Sequence, residues 1–205
     1  MKKGYFITFE GAEGSGKSTQ IRRAAAFLRK KGRGVVMLRE PGGTRISERI
    51  RGILLDKDLK EMGPVTELFL YLAARAQIVR EKIVPALRKG QVVICDRYED
   101  STRAYQGSGR EIPLASIERA SRLVRGDLRP DLTFLLDVDV TEGLKRGGRH
   151  DRIEREAFSF HRRVRRGFLR IAKKEPRRVM VLDTRSSADV VSGKIRERLE
   201  RVFGE

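Results

Sequence analysis

Gly11-Ala12-Glu13-Gly14-Ser15-Gly16-Lys17-Ser18, followed by Thr19, spells G-x-x-x-x-G-K-S-T. Glycines at this spacing let the backbone curl so that successive N–H groups face phosphate oxygens. A helix opening near Lys17 adds its positive end. Lys17 can then reach β- and γ-phosphates, and the Ser18 hydroxyl can ligate Mg²⁺. The pattern predicts a nucleoside triphosphate site. Farther along, Asp96-Arg97 ends an apolar run. Asp96 fits a Walker-B-like carboxylate that holds Mg²⁺ directly or through water, with capping of the next turn as the structural alternative. Arg97 follows it onto the same rim, and a surface salt bridge is its plainer reading. Phosphoryl transfer asks mainly for alignment and charge neutralisation, and Arg39, Arg75 and Arg97 could line an anionic acceptor site. A guanine-specific GTPase usually carries Asn-Lys-x-Asp, whereas this chain has no asparagine. Large mechanical ATPases usually need more chain and more domains. The residues therefore favour a small kinase.

These groups need a scaffold. Apolar runs at 5–10, 35–39, 92–96, 132–138 and 178–183 are continuous enough for strands covered on both faces. Helical patterns lie between them, at about 17–31, 45–55, 64–88, 113–125, 153–174 and 187–202. This alternation predicts an α/β fold, a five-stranded parallel sheet flanked by helices and joined by right-handed crossovers. Ligands in such folds sit beyond the carboxyl ends of the strands. There the sequence places Glu10-Gly11, Arg39-Glu40-Pro41 and Asp96-Arg97-Tyr98.

At 205 residues, with 39% hydrophobic and 36% charged residues, the chain has room for one core and reads as a single domain. Its one cysteine, Cys95, sits in the apolar run QVVICD and reads as a buried thiol. No apolar run reaches the roughly 18 residues of a membrane span, and the N-terminus reads as a strand rather than a signal peptide. A cytoplasmic protein is expected. The net charge of +18 raises the alternative of a basic nucleic-acid binder. Lys and Arg are spread along the chain, however, and the densest cluster, 161–166, falls in a helical pattern with acidic neighbours. No aromatic stacking platform or base-reading motif supports that alternative.

FEGAEGSGKSTQ, REPGGT, LYLAAR, DRYEDSTRAYQGSGR, PDLTFLLDVD and LKRGGRHDRIE occur in the order and spacing of bacterial thymidylate kinases. The chain resembles that family from about residue 4 to residue 185. The resemblance implies a P-loop nucleotide kinase that moves the γ-phosphate of ATP onto dTMP, with Mg²⁺ as cofactor. It also implies a homodimer built through helices on one side of the sheet. A kinase for another nucleotide or nucleoside is the nearest alternative.

By the same resemblance, residues 11–19 hold ATP and Glu13 meets the acceptor's 3′-hydroxyl. A carboxylate in a phosphate loop is unfavourable unless it binds a hydroxyl or a metal. Arg39, Glu40 and Pro41 resemble the acceptor-phosphate loop, where the bond before proline is often cis. Tyr71 and Arg75, four apart on one helix face, resemble the residues that stack on thymine and bind its carbonyl oxygen. Phe69, about 240° around the helix from Arg75, reads as core. Arg97 would bind the dTMP phosphate, Thr102 a base edge and Tyr105 the sugar, with Gln106 beside them. Residues 145–152 read as a lid. Residues 12–15 lack arginine, so the lid would supply the catalytic one. Arg149 is assigned to the phosphates, Arg146 to the adenine side, and Arg152 is held in reserve.

Overall fold

A computed structural model describes residues 4–147 and 151–204. The elements run β1 (Tyr5–Glu10), α1 (Lys17–Lys30), β2 (Val35–Arg39), α2 (Arg45–Leu55) and α3 (Pro64–Ile78). A π-helical turn (Val79–Ile83), α4 (Val84–Arg88), β3 (Val92–Asp96) and α5 (Glu99–Thr102) follow. Next come a second π-helical segment (Arg103–Gly109), α6 (Leu114–Arg125), β4 (Leu132–Asp137) and α7 (Val140–Gly147). The chain closes with α8 (Phe158–Lys174), β5 (Val179–Asp183) and α9 (Ala188–Phe203). The strands form one parallel sheet in the order β2-β3-β1-β4-β5. The expected fold class is the observed one.

Strand side chains alternate between the two faces. Ile7, Phe9, Ile94 and Phe134 pack with Ile21 and Leu28 of α1 and Ile195 and Leu199 of α9. Phe6, Val93 and Cys95 face the other way, onto Ile78 and Ile83. Burying each such side chain stabilises the fold by about 1.5–3 kcal/mol. The register matters for function. Asp96 lies opposite both Phe9 of β1 and Arg39 of β2, so three strands end at one level. The residues just past these strands therefore meet on one rim.

Two helical stretches depart from the sequence pattern. The run expected over 64–88 is interrupted by the π turn, because Pro85 in the first turn of α4 has no N–H for a continuous ladder. The helix expected from 153 begins only at Phe158; residues 151–157 form turns, closed by bonds such as Glu154 N–H to Asp151 Oδ1 (2.9 Å). Helices α5 and α7 and the second π segment went unpredicted, being short or glycine-containing.

Candidate active site

The loop after β1 turns on glycine. Gly11 has φ 139° and Gly14 φ 65°, both in the region that favours glycine. A Cβ on Gly11 would stand 2.3 Å from the Leu136 carbonyl oxygen, and one on Gly14 2.1 Å from that of Gly143. The loop therefore lies directly on the end of β4 and on α7. This contact brings Arg146, in the last turn of α7, to the cleft that Lys17, Ser18, Thr19 and Asp96 also line. Lys17 is buried and donates to the carbonyls of Gly11 (3.2 Å) and Ala12 (3.0 Å) and to Ser15 Oγ (3.3 Å). Burial and the neighbouring Arg97 charge lower its pKa to about 8, against the pull of Glu13, Asp96 and Glu10. Arg149 lies outside the described residues.

Arg97 joins this cleft to a second pocket. Its backbone has φ 65°, a strained value for a residue with a side chain. Arg97 N–H donates to the Phe9 carbonyl (2.9 Å), and Tyr98 N–H donates to Glu10 Oε1 (2.8 Å). Ser101 Oγ donates to Glu10 Oε2 (2.6 Å). Burial and the charge of Asp100 raise the Glu10 pKa to about 8. The turn so held sends the Arg97 guanidinium to Glu13 (2.7 Å) and to the Gly11 carbonyl (2.9 Å). Tyr105 OH donates to the same Glu13 oxygen (2.9 Å). Burial opposes the Glu13 charge, but Arg97, Lys17 and these hydrogen bonds outweigh it and hold the carboxyl at about 2. The acid in the phosphate loop is thus ionised.

The second pocket is lined by Tyr71, Arg75, Thr102, Tyr105 and Gln106, with Glu40 and Pro41 at its edge. The Glu40-Pro41 bond is cis. Arg75 is 1% exposed, 2.7 Å from Glu40 and stacked over the Tyr98 ring at 4.8 Å. Burial works against its charge, yet Glu40 beside it raises its pKa. Its Nη1 atom is buried without a partner. One charged donor is therefore available to a ligand oxygen. Burial and the Glu67 charge push the Tyr71 hydroxyl up, so the ring stays neutral.

Arg39 stands apart from that pocket. It lines the cleft beside the glycine loop and is held by Glu48 (2.9 and 3.1 Å). Phe69 corrects the sequence reading: it is 59% exposed, not core. It lies on the α3 face opposite the buried Glu67, Leu68, Leu72 and Arg75. Arg51 lacked a distinguishing sequence signal, and Glu10 had only part of one. Arg51 lines both pockets and donates to the Pro41 carbonyl (3.0 Å), but α2 carries several arginines of identical type. Glu10 could be found as a charge ending an apolar strand, though not its hydrogen bonds.

Ser18 and Asp96 offer oxygen ligands suited to a hard cation. Asp96 Oδ1 is buried without a hydrogen-bond partner. Among the described residues no cluster of three or more acidic, His or Cys side chains forms an all-protein metal cage. A cation held partly by substrate phosphates fits this donor set.

The profile described as thymidylate kinase matches residues 9–195. Thymidylate kinase of Pelobacter propionicus is 50% identical over 198 residues, covering 92% of this chain and 90% of that one. That of Geobacter sulfurreducens is 54% identical, covering 88% and 89%. The crystal structure of thymidylate kinase from Ehrlichia chaffeensis superposes with a TM-score of 0.78 at 36% identity, covering 96% of this chain and 99% of that one. The phosphate loop, the Arg97 turn and the second pocket all fall inside these matches, and the chain belongs to the thymidylate kinase family.

Proposed function

We propose that the protein transfers the γ-phosphate of ATP to dTMP, giving ADP and dTDP for dTTP synthesis. The observation that carries this reading is the junction of two pockets at Glu13 and Arg97. One pocket is walled by a phosphate loop; the other holds an aromatic ring and a buried arginine donor. A donor phosphate and an acceptor phosphate would meet where the two pockets join. Membership of the family supports dTMP as acceptor.

In this reading the N–H groups of residues 11–19 and Lys17 hold the ATP phosphates. Ser18 and Asp96 hold Mg²⁺, which neutralises phosphate charge when bound. Arg97 leaves Glu13 for the acceptor phosphate, and Glu13 and Tyr105 then face the sugar. Tyr71 stacks on the base, Arg75 Nη1 donates to its carbonyl oxygen, and Thr102 and Gln106 close the base edge. Arg39, Glu40 and Pro41 shape the wall between the phosphates. Arg146 approaches the nucleotide from α7, and Arg149 is the proposed lid arginine. Such an arginine is worth roughly 10³–10⁵-fold in related transfers.

The partner of the folded chain is a second copy. Helices α2, α3 and α6 pack side by side. They expose Ile46 and Ile53 (α2), Val65 and Phe69 (α3) and Leu123 (α6). Large apolar groups concentrated in neighbouring helices mark an interaction face. The buried Cys95 thiol suits a reducing cytoplasm. Among the described residues, no helix is long and apolar enough to cross a membrane. The test of function is ADP release from Mg·ATP with dTMP, dUMP, dCMP, UMP, AMP, GMP, thymidine or no acceptor. Strong preference for dTMP is expected. Preference for another acceptor would overturn the roles of Tyr71, Arg75, Thr102 and Tyr105, and acceptor-independent hydrolysis would overturn the kinase reading.

A further inference from the structure

Glu67 is fully buried on α3, one turn before Tyr71. A carboxylate in that position must be saturated with donors, and four bonds reach it. Gln106 Nε2 donates to Oε1 (2.8 Å), as does Arg110 Nε (3.2 Å). Arg110 Nη2 (2.9 Å) and Arg152 Nη2 (2.7 Å) donate to Oε2. Arg110 also pairs with Glu156 (2.6 Å). Arg152 comes from the turn segment 151–157, and its Nε donates to the Leu54 carbonyl (3.1 Å) at the end of α2. That segment is a wall of the acceptor pocket: Asp151 and Ile153, on either side of Arg152, both line it. Ile153 packs in one cluster with Tyr105 and Phe160.

We propose that the Glu67–Arg152 pair is a positioning device for the acceptor pocket, anchoring the 151–157 wall to the helix that carries Tyr71 and Arg75. The proposal rests on the kinase reading above and deepens it. Arg152 does not line the phosphate cleft, so its guanidinium acts through Glu67 and not on the transferring phosphate. Gln106 hangs from the same carboxylate, so one buried charge fixes both an acceptor-facing amide and the opposite wall. Arg110 and Arg152 both pair with Glu67, and Arg110 pairs with Glu156 as well. Removing Arg152 leaves Glu67 paired with Arg110 and Gln106, whereas removing Glu67 would disturb both arginines at once, taking the carboxylate from Arg152 and leaving Arg110 with Glu156. Arg152 is therefore the informative position.

The experiment is steady-state phosphorylation by the full chain of wild type, Arg152→Met and Arg152→Lys, varying dTMP at saturating Mg·ATP and then the reverse. Calorimetric binding of dTMP without ATP accompanies it. A displaced pocket wall can cost up to about 100-fold, and a loss of positioning appears in the acceptor's KM. Arg152→Met should raise the dTMP KM and Kd about tenfold or more, with the ATP KM unchanged and kcat within about threefold. Arg152→Lys, which keeps the charge but loses the fork, should recover part of that loss. If Arg152→Met does not yield folded protein, Arg152→Lys decides alone, since an unchanged dTMP KM in it overturns the proposal. Unchanged dTMP binding in Arg152→Met does the same. A kcat loss of about 10³-fold at constant dTMP KM would make Arg152 a transition-state arginine and also overturn it. Wild-type protein that rejects dTMP would overturn the functional reading instead, and the KM shift would then be read on the monophosphate it accepts.

Discussion

Replacing Arg75 with methionine separates a residue's structural role from its role as a ligand donor. Arg75 and Glu40 are 2.7 Å apart with side chains only 2% and 4% exposed. Breaking a buried pair strands its partner, at about 3–5 kcal/mol. The same change deletes the unpartnered Nη1 donor at the acceptor pocket. A hydrogen bond from a charged donor contributes about 1.5–3 kcal/mol, which corresponds to about 10- to 150-fold in kcat/KM. Arg75→Met should therefore lower both stability and use of dTMP. Adding Glu40→Gln removes the stranded charge and should restore most of the stability. It should leave dTMP kcat/KM about 10- to 150-fold below that of Glu40→Gln alone. The assays are urea unfolding and initial rates against dTMP for the wild type, both single variants and the double variant. An Arg75→Met variant within about 1 kcal/mol of wild type would refute the ion-pair argument. A double variant that matched Glu40→Gln in dTMP kinetics would refute the donor role of Arg75.

Four other perturbations test separate parts of the molecule. Lys17→Ala should abolish most turnover at nearly unchanged Tm, because among the described residues its hydrogen bonds all stay within its own loop; an active variant would refute the phosphate-loop assignment. In wild type, kcat/KM for ATP should fall as pH rises through about 8, the protonated Lys17 being the phosphate-binding form, and a profile flat to pH 10 would contradict this. Glu10, raised from 4.5 to about 8 in the fold, contributes stability that is present below about 4.5 and lost as pH rises toward about 8. Glu10→Gln should remove that slope, so its unfolding free energy gains on wild type across this window; parallel curves would show that Glu10 does not titrate there. Phe69→Asp should convert a dimer to a folded monomer in light scattering, and an unchanged mass would move the interface elsewhere.

Much of the architecture was legible because strand burial and helix periodicity are local. The runs at 5–10, 35–39 and 92–96 are strands at those bounds, since sheets covered on both faces require continuous apolar sequence. The phosphate loop was legible for the same reason: glycine spacing and Lys17 act within nine residues. The break at 79–83 was less legible, because Pro85 lies inside an otherwise helical pattern. Phe69 was misread because periodicity marks a helix's apolar residues without saying which of two apolar faces is covered. Here α3 buries Glu67 and Arg75 and leaves Phe69 outside.

What the sequence determined by itself was the glycine-spaced strand–loop–helix and the order of the elements, both set by interactions between near neighbours. Only tertiary structure decided which charges meet. Arg97 finds Glu13 across 84 residues, Arg75 finds Glu40 across 35, and Arg152 finds Glu67 across 85. The chain carries 46 lysines and arginines, and charge acts by distance, not by sequence spacing. No pattern of residue types could have selected these three from the rest; the tertiary fold that brings each within reach of its partner did.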